Sequence, residues 1–302
     1  MIRTTKQNKQ VDLILCSDIH LREDKPVCRT DDFVNVTQWR KLDFISELQK
    51  KYNCPVLHAG DLYNSWKIST LLAKKTVQHI PNKFYTIYGQ HDLPQHNLDL
   101  TEKCGIDLLA EVNKLTILPG IHWGQKPDYS DNVEGTFSFI IKNPYRRILV
   151  WHKFNYTGKE PWPDCVEPKA SKLLKQYPDY QLIITGDNHM PFVEEYESRL
   201  LVNPGSLSRQ KADQINHRPR VYLYNAESNT VEPVYIPIEE NVISRDHLVK
   251  EEQRNERIDT FVSQLSEKWK VSLSFEDNLQ RFEKKNQIRQ SVMQIVYKAT
   301  EV

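Results

Sequence analysis

Through the first two-thirds of this 302-residue chain, short unbroken apolar runs alternate with stretches of helical periodicity. That alternation constrains the fold more than any other feature, because it is the pattern of an α/β protein. VDLILC (11–16), PVLHAG (55–60) and KFYTIYG (83–89) have strand length. Between them, Trp39, Leu42, Ile45, Leu48 and Tyr52 recur at helical spacing over 37–52, and ISTLLAKKTVQHI (68–80) reads as a second helix. A third, near 105–113, leads into KLTILPG.

The middle of the chain changes character. GIHWG, TFSFIIK, RRILVWH, YQLIITG, VEEYE, RLLVN and RVYLYN are strand candidates, and only 167–177 reads as helix. This predicts a second sheet or an antiparallel extension. KFNYTGKEPWPDCV (153–166), with three aromatics and two prolines, reads as a long loop, either a binding loop or a plain surface excursion. After PIEE (237–240) glycine and proline vanish and charges of both signs crowd in. Ile258, Phe261, Val262, Leu265 and Trp269 share one helical face, as do Ile288, Val292, Ile295 and Val296. The expected organisation is a domain over 1–240 followed by a helical module over 241–302.

Composition removes several classes. Aromatic residues make up 10%, enough rigid apolar area for a core and against disorder. No run approaches the ~20 apolar residues of a membrane span. The opening MIRTTKQNKQ lacks the apolar region and small-residue cleavage site of a secretory signal. Five cysteines at 16, 28, 54, 104 and 165, an odd number without a CxxC pair, suit a reducing cytoplasm. A formal net charge of +1 leaves any nucleic-acid partner dependent on a local patch. Glycine is scarce, with nine residues, so each position that keeps it invites a backbone reason.

Chemistry collects at the carboxyl ends of the apolar runs. Asp18-Ile-His20 follows VDLILCS, Gly60-Asp61 follows PVLHA, and Gly89-Gln-His-Asp92 follows KFYTIY. His152 follows RRILVW, and Gly186-Asp-Asn-His189 follows YQLIIT. Open α/β sheets gather ligands at those strand ends, so five clusters can converge on one crevice. Asp, His and amide oxygens are ligands for hard or borderline divalent metals, and carboxylates can bridge two ions.

In this order the motifs resemble the series of the calcineurin-like metallophosphoesterases. HAGDLY (58–63), GQHDLPQHN (89–97) and NPGSLSRQ (203–210) are similar to the SbcD-type DNA repair nucleases and their phage-encoded relatives. The resemblance spans roughly 11–240 and implies a four-layer αββα sandwich with a helical C-terminal extension. It implies that Asp18, His20, Asp61 and His189 hold one metal, with Asp61 bridging to a second that also takes Gln90, His152 and Asp187. His91 would orient the phosphate or protonate the leaving oxygen, Asp92 would hold its imidazole, and a metal-bridging hydroxide would attack.

Two positions depart from that family pattern. Gln90 stands where Asn is usual, and Asp187 where the first His of Gly-His-x-His is usual. Both fall on the second metal and make it harder and more negative, which favours Mn²⁺ first and Mg²⁺ second. Tyr63 and Asn64, with Trp66, could line a substrate groove or pack beside the site. Ser206 and Arg209 could approach a phosphate or form a tight turn. DNA is the expected substrate, with a phosphatase, a small-molecule phosphodiesterase or a catalytically weak DNA- or ATPase-binding subunit as alternatives. In SbcD-like systems helices after the phosphoesterase region dock onto an SbcC-type coiled-coil ATPase. Residues 241–302 suit that role, and a homodimer is a further possible assembly.

Overall fold

Leu13–Cys16 (β1) is buried at every position, with each side chain at most 1% exposed. Because successive strand side chains point to opposite faces, such a strand needs packed layers on both sides. The computed structural model, which describes residues 10–119, 121–127, 139–142, 144–268 and 275–300, supplies both layers.

Four parallel strands form the first sheet's core: β1, β2 (Val56–His58), β3 (Phe84–Thr86) and β4 (Thr116–Ile117). The helices α1 (Gln38–Tyr52), α2 (Thr70–His79) and α3 (Gly105–Glu111) lie between them in sequence. Ser69 caps α2 by accepting from the Leu72 N–H. The second sheet comprises β5 (Phe139–Lys142), β6 (Tyr145–Trp151), β7 (Leu182–Thr185), β8 (Phe192–Tyr196) and β9 (Arg199–Asn203). Its order is β5-β6-β7-β9-β8, parallel in the centre and antiparallel at both edges, with α4 (Ala170–Gln176) between β6 and β7 in sequence. The chain then returns to the first sheet as β10 (Arg220–Asn225) and β11 (Thr230–Tyr235), completing the order β11-β10-β1-β2-β3-β4.

Period-two alternation sorts the side chains into layers. Leu13, Leu15 and Leu57 meet Val150, Ile184 and Val202 between the sheets. Ile14, Val56 and Phe84 turn outward onto Trp39, Leu42, Ile45 and Leu72. Leu149, Ile183 and Leu201 pack on Leu173 and Leu174 of α4. Helix, sheet, sheet and helix are thus stacked as the expected αββα sandwich, each fully buried aliphatic side chain contributing roughly 1.5–3 kcal/mol.

Two details differ from the sequence reading, and part of it lies outside the described residues. Residues 121–124 of GIHWG form no strand, and Gly124 takes a left-handed φ of +79° there. β11 was not anticipated because Pro233 interrupts its run; proline is tolerated because β11 is an edge strand, with one N–H side facing no partner. Residues 136–138 of TFSFIIK and Trp269 lie outside the described residues.

The chain divides into two compact units, Met1–Ser244 and Arg245–Val302. The second is helical: α5 (Asp246–Lys268), α6 (Phe275–Asn286) and α7 (Gln290–Thr300). Phe261 meets Phe282 edge-on at 5.6 Å, while Ile258, Phe261 and Val262 stay about half exposed. No helix among the described residues is long and apolar enough to cross a membrane.

Candidate metal centre

Parallel pairing sets the ends of β1, β2 and β3 side by side in one sheet, and those of β6 and β7 in the other. The loops that follow are stitched together through the backbone. Asp18 N–H donates to Gly60 O (3.1 Å) and His20 N–H to Asp61 O (3.0 Å). Side chains join in: Asp187 N–H donates to Asp18 Oδ1 (3.1 Å), and His91 N–H to Asp61 Oδ1 (2.9 Å). Asp18, His20, Asp61 and Asp187 all adopt left-handed backbone, with φ from +49° to +76°. Such conformations cost of order 1–3 kcal/mol each and persist where surrounding contacts over-determine them, as they do here. Two glycines make the approach possible. A Cβ on Gly89 would lie 2.1 Å from Asp61 Oδ1, and one on Gly60 would lie 2.6 Å from His152 Nδ1.

Imidazoles converge on two buried carboxylates. His152 Nε2, His20 Nε2 and His91 Nε2 lie 3.4, 3.7 and 4.0 Å from Asp61 Oδ2. His20 and His189 Nε2 lie 3.8 and 3.7 Å from Asp18 Oδ1, and 3.2 Å from each other. Most of these spacings are long for hydrogen bonds, yet ligand atoms about 2.0–2.2 Å from one ion sit roughly 3–3.5 Å apart. Asp18 Oδ2, Asp61 Oδ2, Gln90 Oε1, His20 Nδ1 and His152 Nε2 are buried without a hydrogen-bond partner among the described residues. Polar atoms left unmade at this density fit a site built for divalent cations. Among the described residues, three donor groups satisfy metal-ligand spacing: Asp18/His20/His189, His20/Asp61/His91 and Asp18/Asp61/His152.

Electrostatics reinforce the geometry. Burial opposes ionisation of Asp61, but His152, His20 and His91 hold its carboxyl well below the usual range. Burial likewise disfavours a charged His152, yet Asp61, and then Asp18 and Asp187, push it up to about 10. Burial drives His20 well below its ordinary value and raises Asp18.

Several expected roles change once the side chains are placed. Asp92 does not hold the His91 imidazole. Its carboxylate accepts the backbone N–H groups of Asp61 (2.8 Å), Gly89 (3.0 Å), Tyr63 (3.1 Å) and Leu62 (3.3 Å), tying the β2 and β3 loops together. The His91 ring instead donates from Nδ1 to the Asn64 carbonyl (3.2 Å), leaving Nε2 toward Asp61. Tyr63 is fully buried in the helix-side core and lines no groove. Ser206 is buried, with its hydroxyl donating to Ser208 O and accepting from Gln214. Arg209 lines a different cavity altogether. Gln90 and Asp187 reach the site, and Gln90 Nε2 donates to Asp187 Oδ1 (2.8 Å).

Sequence reasoning missed the supporting carbonyls. His152 donates from Nδ1 to Ala59 O at 2.6 Å, which fixes its tautomer and aims Nε2 at Asp61. Backbone acceptors such as Ala59 and Asn64 carry no side-chain signature. It also missed Trp123, on which His96 packs at 5.3 Å. Both line an open cavity of about 820 Å³ that includes Gln90, His91, His152 and Asp187.

The family model of the calcineurin-like phosphoesterase superfamily domain matches residues 11–225. Among solved structures, an archaeal phosphodiesterase is 16% identical over 74% of this chain and 99% of its own, with a TM-score of 0.38. A Staphylococcus aureus protein described as a 5′-nucleotidase, in complex with α-ketoglutarate, is 14% identical over 81% and 58%, with a TM-score of 0.45. Vacuolar protein sorting 29 from Cryptosporidium parvum is 15% identical over 76% and 100%, with a TM-score of 0.35. No curated protein matches.

Proposed function

The chain belongs to the calcineurin-like phosphoesterase superfamily, and from that premise we propose that it is a metal-dependent phosphodiesterase acting on DNA, an SbcD-like nuclease subunit. Asp18, His20, Asp61 and His189 would hold one divalent ion, and Asp61, His152, Gln90 and Asp187 a second, with Mn²⁺ the preferred metal. Such ions, when bound, neutralise phosphate charge and lower the pKa of water toward 7. The protein's own part is to fix the ligands and place a proton. His91, with Nδ1 committed to Asn64 O, has Nε2 free to hold the phosphate or protonate the leaving oxygen.

One observation carries the choice of a nucleic-acid diester. The cavity beside the cluster presents the His96–Trp123 pair and, on its lining, Lys126 and Lys172, with Lys153 paired to Glu167. A flat aromatic surface stacks a base, and lysines follow a phosphate backbone. A site for a bare phosphomonoester needs neither. For Arg245–Val302 the same reading makes the half-exposed apolar residues Ile258, Phe261 and Val262 a docking face for an SbcC-type ATPase.

The test compares Mn²⁺-dependent degradation of linear and single-stranded DNA with hydrolysis of p-nitrophenyl phosphate, using Asp18→Ala as control. DNA should be the better substrate, and Asp18→Ala should abolish its cleavage. Preference for p-nitrophenyl phosphate would establish the phosphatase alternative instead.

A further inference from the structure

A second cavity, of about 400 Å³, shares no lining residue with the one at the metal centre. Arg29, Lys41 and Arg209 line it and are only 4%, 4% and 5% exposed. Lysine and arginine are almost never buried this far unless paired. Arg29 is paired, donating from Nε to Asp31 Oδ1 at 2.8 Å and from Nη2 to Oδ2. Arg209 donates its terminal nitrogens to the Ile215 and Glu239 carbonyls, and its buried Nε has no partner among the described residues. The Lys41 ammonium has neither a hydrogen bond nor an ion pair among the described residues. Among the described residues Asp31 is the one carboxylate bonded to this trio, so Lys41 and Arg209 are buried with no carboxylate in contact, a costly arrangement unless an anion completes it.

We propose that this cavity binds the dianionic phosphate group of a small phosphomonoester. A phosphate dianion would meet the two cations that no carboxylate contacts, and its tetrahedral oxygens suit donors arriving from three separate chain segments. Phe44, Ile236, Pro237 and Ile238 supply an apolar wall for the ester's organic part. Asp43, bonded to His79 Nδ1 at 2.7 Å, and the exposed Glu47 stand in the lining as well, while Arg40 is neutralised by Glu239 at 2.9 Å. That acidic component disfavours a polyanionic nucleic-acid strand and selects a small ligand. Burial, together with the Arg29 and Arg209 charges, holds Lys41 down at about 7, as expected for an ammonium awaiting its counter-ion.

The experiment is calorimetric titration of the full chain, Mn²⁺-loaded and stripped on a chelating resin, with adenosine 5′-monophosphate, adenosine and inorganic phosphate. The monophosphate should bind the stripped protein, more tightly than phosphate, and adenosine should not bind. Lys41→Met should weaken binding at least tenfold, and Glu47→Lys, an exposed change, should tighten it severalfold. A signal confined to the Mn²⁺-loaded form would belong to the metal centre and overturn the proposal. So would equal binding of adenosine or inorganic phosphate, or an affinity indifferent to both substitutions. Should Lys41→Met fail to fold by circular dichroism, Glu47→Lys decides alone.

Discussion

Gln90 Nε2 donates to Asp187 Oδ1 at 2.8 Å, joining two residues 97 positions apart. These are the two positions at which the chain departs from the pattern it resembles, and they meet at one point of the site. The extra methylene of glutamine gives the amide the reach to bond Asp187 while its Oε1 stays unpartnered, available to a cation. Each substitution therefore makes sense of the other.

The two should behave as a coupled pair. Gln90→Asn or Asp187→His alone should weaken the second Mn²⁺ by about tenfold, and the double variant should recover most of the loss. The expected coupling energy is about 2–3 kcal/mol, since each tenfold loss is about 1.4 kcal/mol, read from a double-mutant cycle of Mn²⁺ titrations. Simple additivity would mean that the hydrogen bond does not link the two positions energetically.

His91 is the most exposed of the imidazoles facing Asp61, its side chain being 42% accessible, and its Nδ1 is already committed. His91→Ala should lower kcat by roughly 10²–10⁴ with bound metal unchanged, the range for loss of a positioned acid. Loss of a metal ion by elemental analysis would reassign His91 as a ligand.

Asp92 acts on structure before chemistry. Asp92→Ala would strand the N–H groups of Asp61, Leu62, Tyr63 and Gly89 without their acceptor, at a cost on the order of 3–5 kcal/mol. Urea unfolding should show that loss, with Asp92→Asn milder because its amide oxygen still accepts. Full stability with lost activity would return Asp92 to the catalytic role first expected of it.

Lys41 should leave a mark on stability against pH. Its folded value of about 7 lies below the ordinary lysine value, so between the two the unfolded chain holds a proton that the folded chain does not. Stability then rises with pH across that window, by at most about 1.4 kcal/mol per unit, and levels off below 7 where both states are protonated. Lys41→Met should flatten this slope and leave the ligand-free protein as stable or more so at neutral pH. An unchanged slope in chemical denaturation between pH 7 and 10 would show that Lys41 is not its source.

Much of the fold was legible because it follows from local period. Leu13, Ile14, Leu15 and Cys16 announce a strand covered on both sides, and helix-spaced Trp39, Leu42 and Ile45 announce the cover for one of them. The motif residues were legible for a related reason. Asp18, His20, Asp61, Gln90, His91, His152, Asp187 and His189 each follow a strand; parallel pairing brings strand ends together within each sheet, and packing of the two sheets brings the two sets together. The edge strand β11 escaped notice because Pro233 breaks the local pattern, and only its place in the sheet makes the proline harmless.

The sequence by itself determined which residues could meet at the strand ends and which elements would carry them. Tertiary structure alone decided what each side chain does on arrival. Asp92 serves four backbone N–H groups rather than its neighbour's ring, His152 is aimed by the Ala59 carbonyl, and Arg209 turns to a separate cavity beside Lys41. The physical reason is the range of the interactions. Burial periodicity is written within a few residues, whereas a hydrogen bond or a buried charge takes its partner from segments brought close only when the layers pack.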